Sequence, residues 1–166
     1  TNAHVVAGVK SPFVIDASGE HSTTVIYFDS NLDFAVLQVN NLADPALAIN
    51  PNIAANGSSA AVLGYPGGGP FDAQPAVVAD EFDATGQNIY NQGNTERQIY
   101  EIQAKVIPGN SGGPLISADG RVIGIVFAES TSYNNVGYAL TMKKVVAEIH
   151  QAEANQRPLS TGQCAD

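Results

Sequence analysis

The chain has 166 residues, enough for one domain or two small ones, and its 44% hydrophobic and 14% charged residues describe a packed globular protein rather than a disordered one. A formal net charge of −9, with no basic cluster beyond Lys143-Lys144, argues against a nucleic-acid partner and fits solubility or tolerance of an acidic medium. The longest apolar run, Val122 to Ala128 broken by Gly124, is too short to span a bilayer, and no leader pattern is present, so no membrane contact is expected within this chain and any export or anchoring segment is expected outside it.

In chain order, Ala3 to Ala7 reads as a short helical turn that carries His4 and ends at Gly8. Ser11 to Asp16 reads as a strand, followed by a turn at Ala17-Ser18-Gly19-Glu20. The β-branched and aromatic stretch Thr23 to Phe28 is a second strand, with His21 in its polar approach and expected in solvent. Phe34 to Val39 is a third, with Asp33 at its entrance. The turn-rich segment from Asp44-Pro45 to Asn56-Gly57-Ser58-Ser59 then marks a boundary, dividing the chain into residues 1–58 and 59–166.

Ala60 to Leu63 opens a second set of strands. Gly64-Tyr65-Pro66-Gly67-Gly68-Gly69-Pro70 lacks the Lys-Ser/Thr of a phosphate loop and is expected to be a surface loop. Gln74 to Phe82 and Arg97 to Ala104 are strands joined by a Gly/Asn-rich loop. Asp80, Glu81 and Asp83 read as a solvated acidic face, because no His or Cys at metal-ligand spacing accompanies them. Leu115 to Ser117 and Val122 to Phe127 flank Asp119-Gly120, a hairpin signal. After a last strand, Val136 to Leu140, Thr141 is placed to cap a helix running to about Ala154. Met142, Val145, Val146 and Ile149 form its inward stripe, and His150 lies on its surface. Three strands, then six, then one helix define an all-β architecture.

The chemistry concentrates in Gly109-Asn110-Ser111-Gly112-Gly113-Pro114-Leu115. A serine among glycines suits a nucleophile on a tight turn, and the N–H groups of Gly109 and Ser111 are placed to share an oxyanion. Asn110 has no chemical step of its own. The bland reading is a glycine-rich hairpin with an incidental serine. A serine nucleophile needs a base and an orienting carboxylate. His4, in Thr-Asn-Ala-His-Val-Val, and Asp33, in Asp-Phe-Ala-Val-Leu, supply both residue types in the order His, Asp, Ser, with spacings of 29 and 78 residues.

On these three motifs the chain resembles the trypsin-like serine peptidases of bacteria. It is similar to their HtrA branch and, through Val-Leu-Gly-Tyr-Pro-Gly-Gly-Gly and the terminal Thr-Gly-Gln-Cys, especially to the membrane-anchored extracytoplasmic serine proteases of actinobacteria. The resemblance implies a chymotrypsin-like fold of two six-stranded antiparallel barrels with a C-terminal helix. It also implies that about three strands before His4 are missing, so that residues 1–58 form a partial first barrel and 59–166 the second barrel, helix and tail. The catalytic set would be His4, Asp33 and Ser111, with Gly109 and Ser111 as oxyanion hole and no metal or cofactor. Lys105, Phe127, Ala128, Glu129 and Gly137 would wall a substrate pocket, in which Lys105 disfavours basic side chains and a small or aliphatic one is expected. The partner would be a polypeptide substrate. An extracytoplasmic location, anchored by a segment absent here, is implied as well, and so is a lost upstream partner for Cys164, the chain's one cysteine.

On this reading the protein is a serine endopeptidase working through an acyl-enzyme, and the present chain is a poorly active form whose open first barrel invites a dimer or strand swap. Two other readings remain at this point. One is a non-catalytic binding module with an unassembled site. The other is an α/β-hydrolase esterase, which would need a helix directly after Ser111 and a histidine downstream.

Overall fold

The computed structural model describes residues 1–165, which form two compact units. The first comprises Thr1–Ala46, Gly86–Thr95 and the chain from Ala147 onward; the second comprises Leu47–Thr85 and Glu96–Val146.

The first unit opens with the short helix α1 (Ala3–Val6) and continues into a three-stranded antiparallel sheet of β1 (Phe13–Asp16), β2 (Gly19–Asp29) and β3 (Phe34–Val39), in that order. The β1–β2 turn forms because Asp16 closes it: Oδ1 accepts from the N–H groups of Ser18 and Gly19 and from the Ser18 hydroxyl. His21 is a correction to the sequence reading. Its Nε2 lies 2.9 Å from Asp16 Oδ1 and 3.0 Å from Ser18 Oγ, so the ring is tied into the turn instead of projecting into solvent. β2 is longer than the Thr23–Phe28 core of its apolar pattern, because its first residues pair with β1 and its last with β3. A bulge at Ile26 lets both Val25 and Ile26 point inward. With Leu32, Phe34 and Ala35 they form this unit's core.

Two later stretches complete it. Ile89 N–H donates to the Ser30 carbonyl, and Leu159 N–H to the Val25 carbonyl. Beyond Leu159 the chain folds back on the loop that follows α1. Gly8 N–H donates to the Thr161 carbonyl, and Thr161 Oγ1 donates to the Val9 carbonyl at 3.0 Å. Gly8 (φ +73°) is packed so tightly on Cys164 that a Cβ there would fall 2.5 Å from its Sγ. Tyr27 Oη donates to Glu148 Oε2, and burial, reinforced by that carboxylate, pushes the phenol pKa up.

The second unit is a closed six-stranded barrel: β4 (Ser59–Gly64), β5 (Asp72–Gly86), β6 (Thr95–Gln103), β7 (Pro114–Ser117), β8 (Val122–Glu129) and β9 (Val136–Thr141), in the order β4-β5-β6-β9-β8-β7. Val62, Val78, Tyr100, Ile102, Leu115, Val126 and Ala139 fill it, each no more than 1% exposed. Closure leaves no strand edge open within the barrel. Thr141 caps helix α2 (Met142–Asn155), its Oγ1 accepting from Lys144 N–H. The strand count of three and six, the Asp119-Gly120 hairpin and the cap all match the sequence reading. The unit boundary lies earlier than residue 58. Residues 48–50 bridge to Val122, and Ala54 N–H donates to the buried Tyr100 hydroxyl, which binds this stretch to the barrel.

Candidate active site

His4 and Asp33 meet inside the first unit. α1 presents His4 two residues after its N-cap Asn2, and the β2–β3 turn presents Asp33. That turn is set by Asp29, whose Oδ1 accepts from the N–H groups of Asn31 and Leu32. Asp33 then grips His4 at two points. Oδ1 accepts from the His4 main-chain N–H at 2.9 Å, and Oδ2 lies 2.8 Å from Nδ1. The carboxylate is nearly buried, whereas a third of the imidazole is exposed. A buried carboxylate against Nδ1 holds the proton there. The lone pair is then on Nε2, the tautomer a general base requires.

Ser111 lies in the second unit, on the loop between β6 and β7. The loop is built by backbone bonds. Asn110 N–H donates to Ile107 O, Gly112 N–H to Val126 O and Gly113 N–H to Asn110 O. Tyr65 N–H donates to Gly109 O and Gly67 N–H to Pro108 O, which ties the β4–β5 loop to it. Among the described residues, the N–H groups of Gly109 and Ser111 donate to nothing. Unspent donors at these two positions, with all three neighbours committed, are what a developing oxyanion needs. Glycine is required at the turn: Gly109 has φ +99°, and a Cβ there would strike the Tyr65 carbonyl oxygen, while one at Gly113 would strike the Leu63 carbonyl oxygen. Asn110 is 1% exposed and its Nδ2 has no partner, so this side chain is part of the loop's packing, a role its position in the motif did not reveal.

A cavity of about 390 Å³ lies beside this loop in the second unit, lined by Lys105, Val106, Ile107, Glu129, Tyr133 and neighbouring residues. Of the five pocket residues expected from sequence, Lys105 and Glu129 line it, and Phe127, Ala128 and Gly137 do not. The bulge between Val126 and Ala128 sets Phe127 against the Tyr138 ring and the Arg97 guanidinium. Gly137 lies behind the wall: its missing Cβ leaves the space that the Val106 side chain fills. Asp80, Glu81 and Asp83 remain a surface group, and among the described residues no cluster of His, Cys, Asp or Glu could hold a metal ion.

Sequence reasoning missed Asn2, which is fully buried with Nδ2 donating to the Asp33 carbonyl. An Asn two residues before a candidate base was the available signal. The esterase reading falls here, because strand β7 follows Ser111 where that fold needs a helix, and His150 is exposed on α2.

A carboxylate-held imidazole and a glycine-framed serine, each described within its own unit, are the residue types of the serine-hydrolase class. Within that class, the trypsin-like peptidase domain matches residues 1–125, and the chain belongs to that family. It is 38% identical over 165 residues to the serine protease Rv3671c of Mycobacterium tuberculosis, covering 99% of this chain and 41% of that protein. The crystal structure of that protease in its active form superposes with a TM-score of 0.96 at 36% identity, over all of this chain and 73% of the other. The serine protease Do-like HtrA of Lactococcus lactis is 32% identical over 171 residues, covering 93% of this chain and 41% of that protein. The chain thus spans about two fifths of these curated relatives.

Proposed function

We propose that this chain carries the catalytic machinery of a serine endopeptidase. The observation that carries the reading is the two-point hold of Asp33 on His4, which fixes the ring and its tautomer. In the mechanism, Ser111 Oγ attacks the scissile carbonyl while His4 Nε2 takes its proton. The oxyanion is received by the N–H groups of Gly109 and Ser111. The imidazolium, stabilised by Asp33, returns the proton to the leaving amine, and a water activated by the same nitrogen hydrolyses the acyl-enzyme. These steps require Nε2 within hydrogen-bond reach of Ser111 Oγ.

The cavity at Lys105 and Glu129 is the proposed site for the side chain preceding the scissile bond. Lys105 and Glu129 bring one charge of each sign to it, so charge does not select a basic side chain, and a small or aliphatic one is the proposed preference. The substrate is a polypeptide. An extracytoplasmic location is proposed from the family resemblance, and membrane anchoring belongs to the same proposal. Among the described residues, no helix is long and apolar enough to cross a membrane. Phe13 and Ile15, 53% and 68% exposed on β1 of the open sheet, support self-association through this strand, to be read by light scattering.

A fluorophosphonate probe tests the central reading. It labels Ser111 in the wild-type protein and nothing in Ser111→Ala, which also loses peptide cleavage while keeping its thermal midpoint. Wild-type turnover in Ser111→Ala overturns the assignment.

A further inference from the structure

Asn2 occupies the N-cap of α1, where an asparagine side chain ordinarily accepts a hydrogen bond from the first turn of the helix. It makes no such bond. The side chain is turned inward instead and fully buried. Nδ2 donates to the Asp33 main-chain carbonyl at 3.0 Å, and Oδ1 has no partner. An uncapped helix end and an unpaired buried oxygen are both unfavourable, so simple packing does not account for an asparagine here.

The compensation is at Asp33. This residue has φ +61°, a left-handed backbone that a residue with a Cβ adopts at a cost. In that conformation Oδ1 reaches the His4 main-chain N–H and Oδ2 reaches Nδ1. The short segment Asn2-Ala3-His4 therefore holds Asp33 at both ends: His4 by the carboxylate, Asn2 by the carbonyl of the same residue. The segment itself is anchored independently, because Thr1 and Ala35 exchange two main-chain bonds, of 3.1 and 2.9 Å. Loss of the Asn2 amide would thus free Asp33 without releasing the strand contact beside it.

We propose that Asn2 is a positioning residue for the His4–Asp33 pair, holding Asp33 in its left-handed conformation so that both carboxylate oxygens face His4. The proposal deepens the endopeptidase reading and rests on it for the kinetic consequence. Without this hold the Asp33 peptide relaxes toward ordinary φ, the carboxylate turns away from Nδ1, and His4 loses part of its orientation and of its charge stabilisation.

The test uses Asn2→Leu, close in shape but without the amide, and Asn2→Ala as the second variant should the first fold poorly. Peptide hydrolysis gives kcat, KM and the acid limb of kcat/KM. Proton NMR in the Ser111→Ala background gives the Nδ1–H resonance of His4 without turnover. The expected result is a kcat lower by about 10- to 100-fold at unchanged KM, the size of loss that a misplacement near 1 Å produces. The acid limb moves to lower pH, because an imidazolium with a weaker carboxylate partner gives up its proton more readily. The Nδ1–H resonance moves upfield. A folded variant with an unmoved acid limb and resonance overturns the proposal, even if kcat falls, since that pattern describes a packing role. If the wild-type protein hydrolyses no peptide, the endopeptidase reading fails, and the NMR comparison still decides whether Asn2 holds the pair.

Discussion

Substitution of Gly109 by alanine puts a number on the strain and the chemistry of the serine loop together. Gly109 sits at φ +99°, where an alanine costs about 1–3 kcal/mol of backbone strain. Its new Cβ would overlap the Tyr65 carbonyl oxygen and lie 2.9 Å from Gly67 N, whereas an ordinary contact begins at 3.4 Å. The loop must therefore retreat by about half an ångström from Gly67 and by about 1 Å from Tyr65, to restore normal van der Waals separation. That movement works against the 2.7 Å bond from Gly67 N–H to Pro108 O and the 3.3 Å bond from Tyr65 N–H to Gly109 O. A shift of this size takes the Gly109 N–H out of line with the oxyanion, and losing one such donor lowers kcat by about 10²–10³, or about 2.7–4 kcal/mol. Gly120→Ala is the control. It has φ +79° and open space around it in the β7–β8 turn, so it costs strain alone. The assay is kcat and KM on a peptide amide, normalised to the thermal midpoint of each variant. A Gly109→Ala protein with kcat within a few-fold of Gly120→Ala would refute the oxyanion assignment.

Two further results are expected. Thr141→Ala removes the α2 cap and the 3.1 Å bond to Gln98, and is expected to cost about 1 kcal/mol, read as a thermal midpoint lower by about 2–4 °C. Asp16 has its pKa drawn down to about 2, first by the Ser18 hydroxyl and then by His21. A carboxylate depressed in the folded state stabilises it fully above the ordinary value of 3.8, and that contribution disappears as pH falls toward 2. Ser18→Ala should move the Asp16 midpoint, followed by carboxyl NMR, back toward 3.8; an unmoved midpoint would mean that the hydroxyl does not set it.

Much of this was legible in the residue pattern because the signals are local. Alternating apolar residues placed the nine strands, Asp-Gly placed the β7–β8 turn, and the motifs around His4, Asp33 and Ser111 carried the family resemblance that the trypsin-like peptidase match bears out. The failures share a cause in pairing between distant segments. His21 was read as exposed because the Asp16 carboxylate that binds it is a tertiary neighbour only once the hairpin has formed. Phe127 was expected in a pocket, but it is itself the bulged residue of β8 and is set against Arg97 and Tyr138. Asn2 was given no role from sequence, and only the left-handed Asp33, thirty-one residues on, explains where its amide goes. Residues 86–95 and the stretch after Ala147 carry no local mark that they complete the first unit.

That discontinuity has a consequence for the order of events on the ribosome. Val25 and the Leu159 that bonds to it are separated by 134 residues of chain, and Gly8 waits still longer for Thr161. At ordinary synthesis rates of about 5–20 residues per second, Val25 stands without this neighbour for roughly 7–27 s after it is made. During that interval every residue of the closed barrel emerges, and its core contacts can form. The unit that holds His4 and Asp33 is therefore finished after the unit that holds Ser111, although its sequence comes first. The proposed peptidase machinery, completed in this order, lacks a finished His4–Asp33 unit while the nascent chain is itself the nearest extended polypeptide.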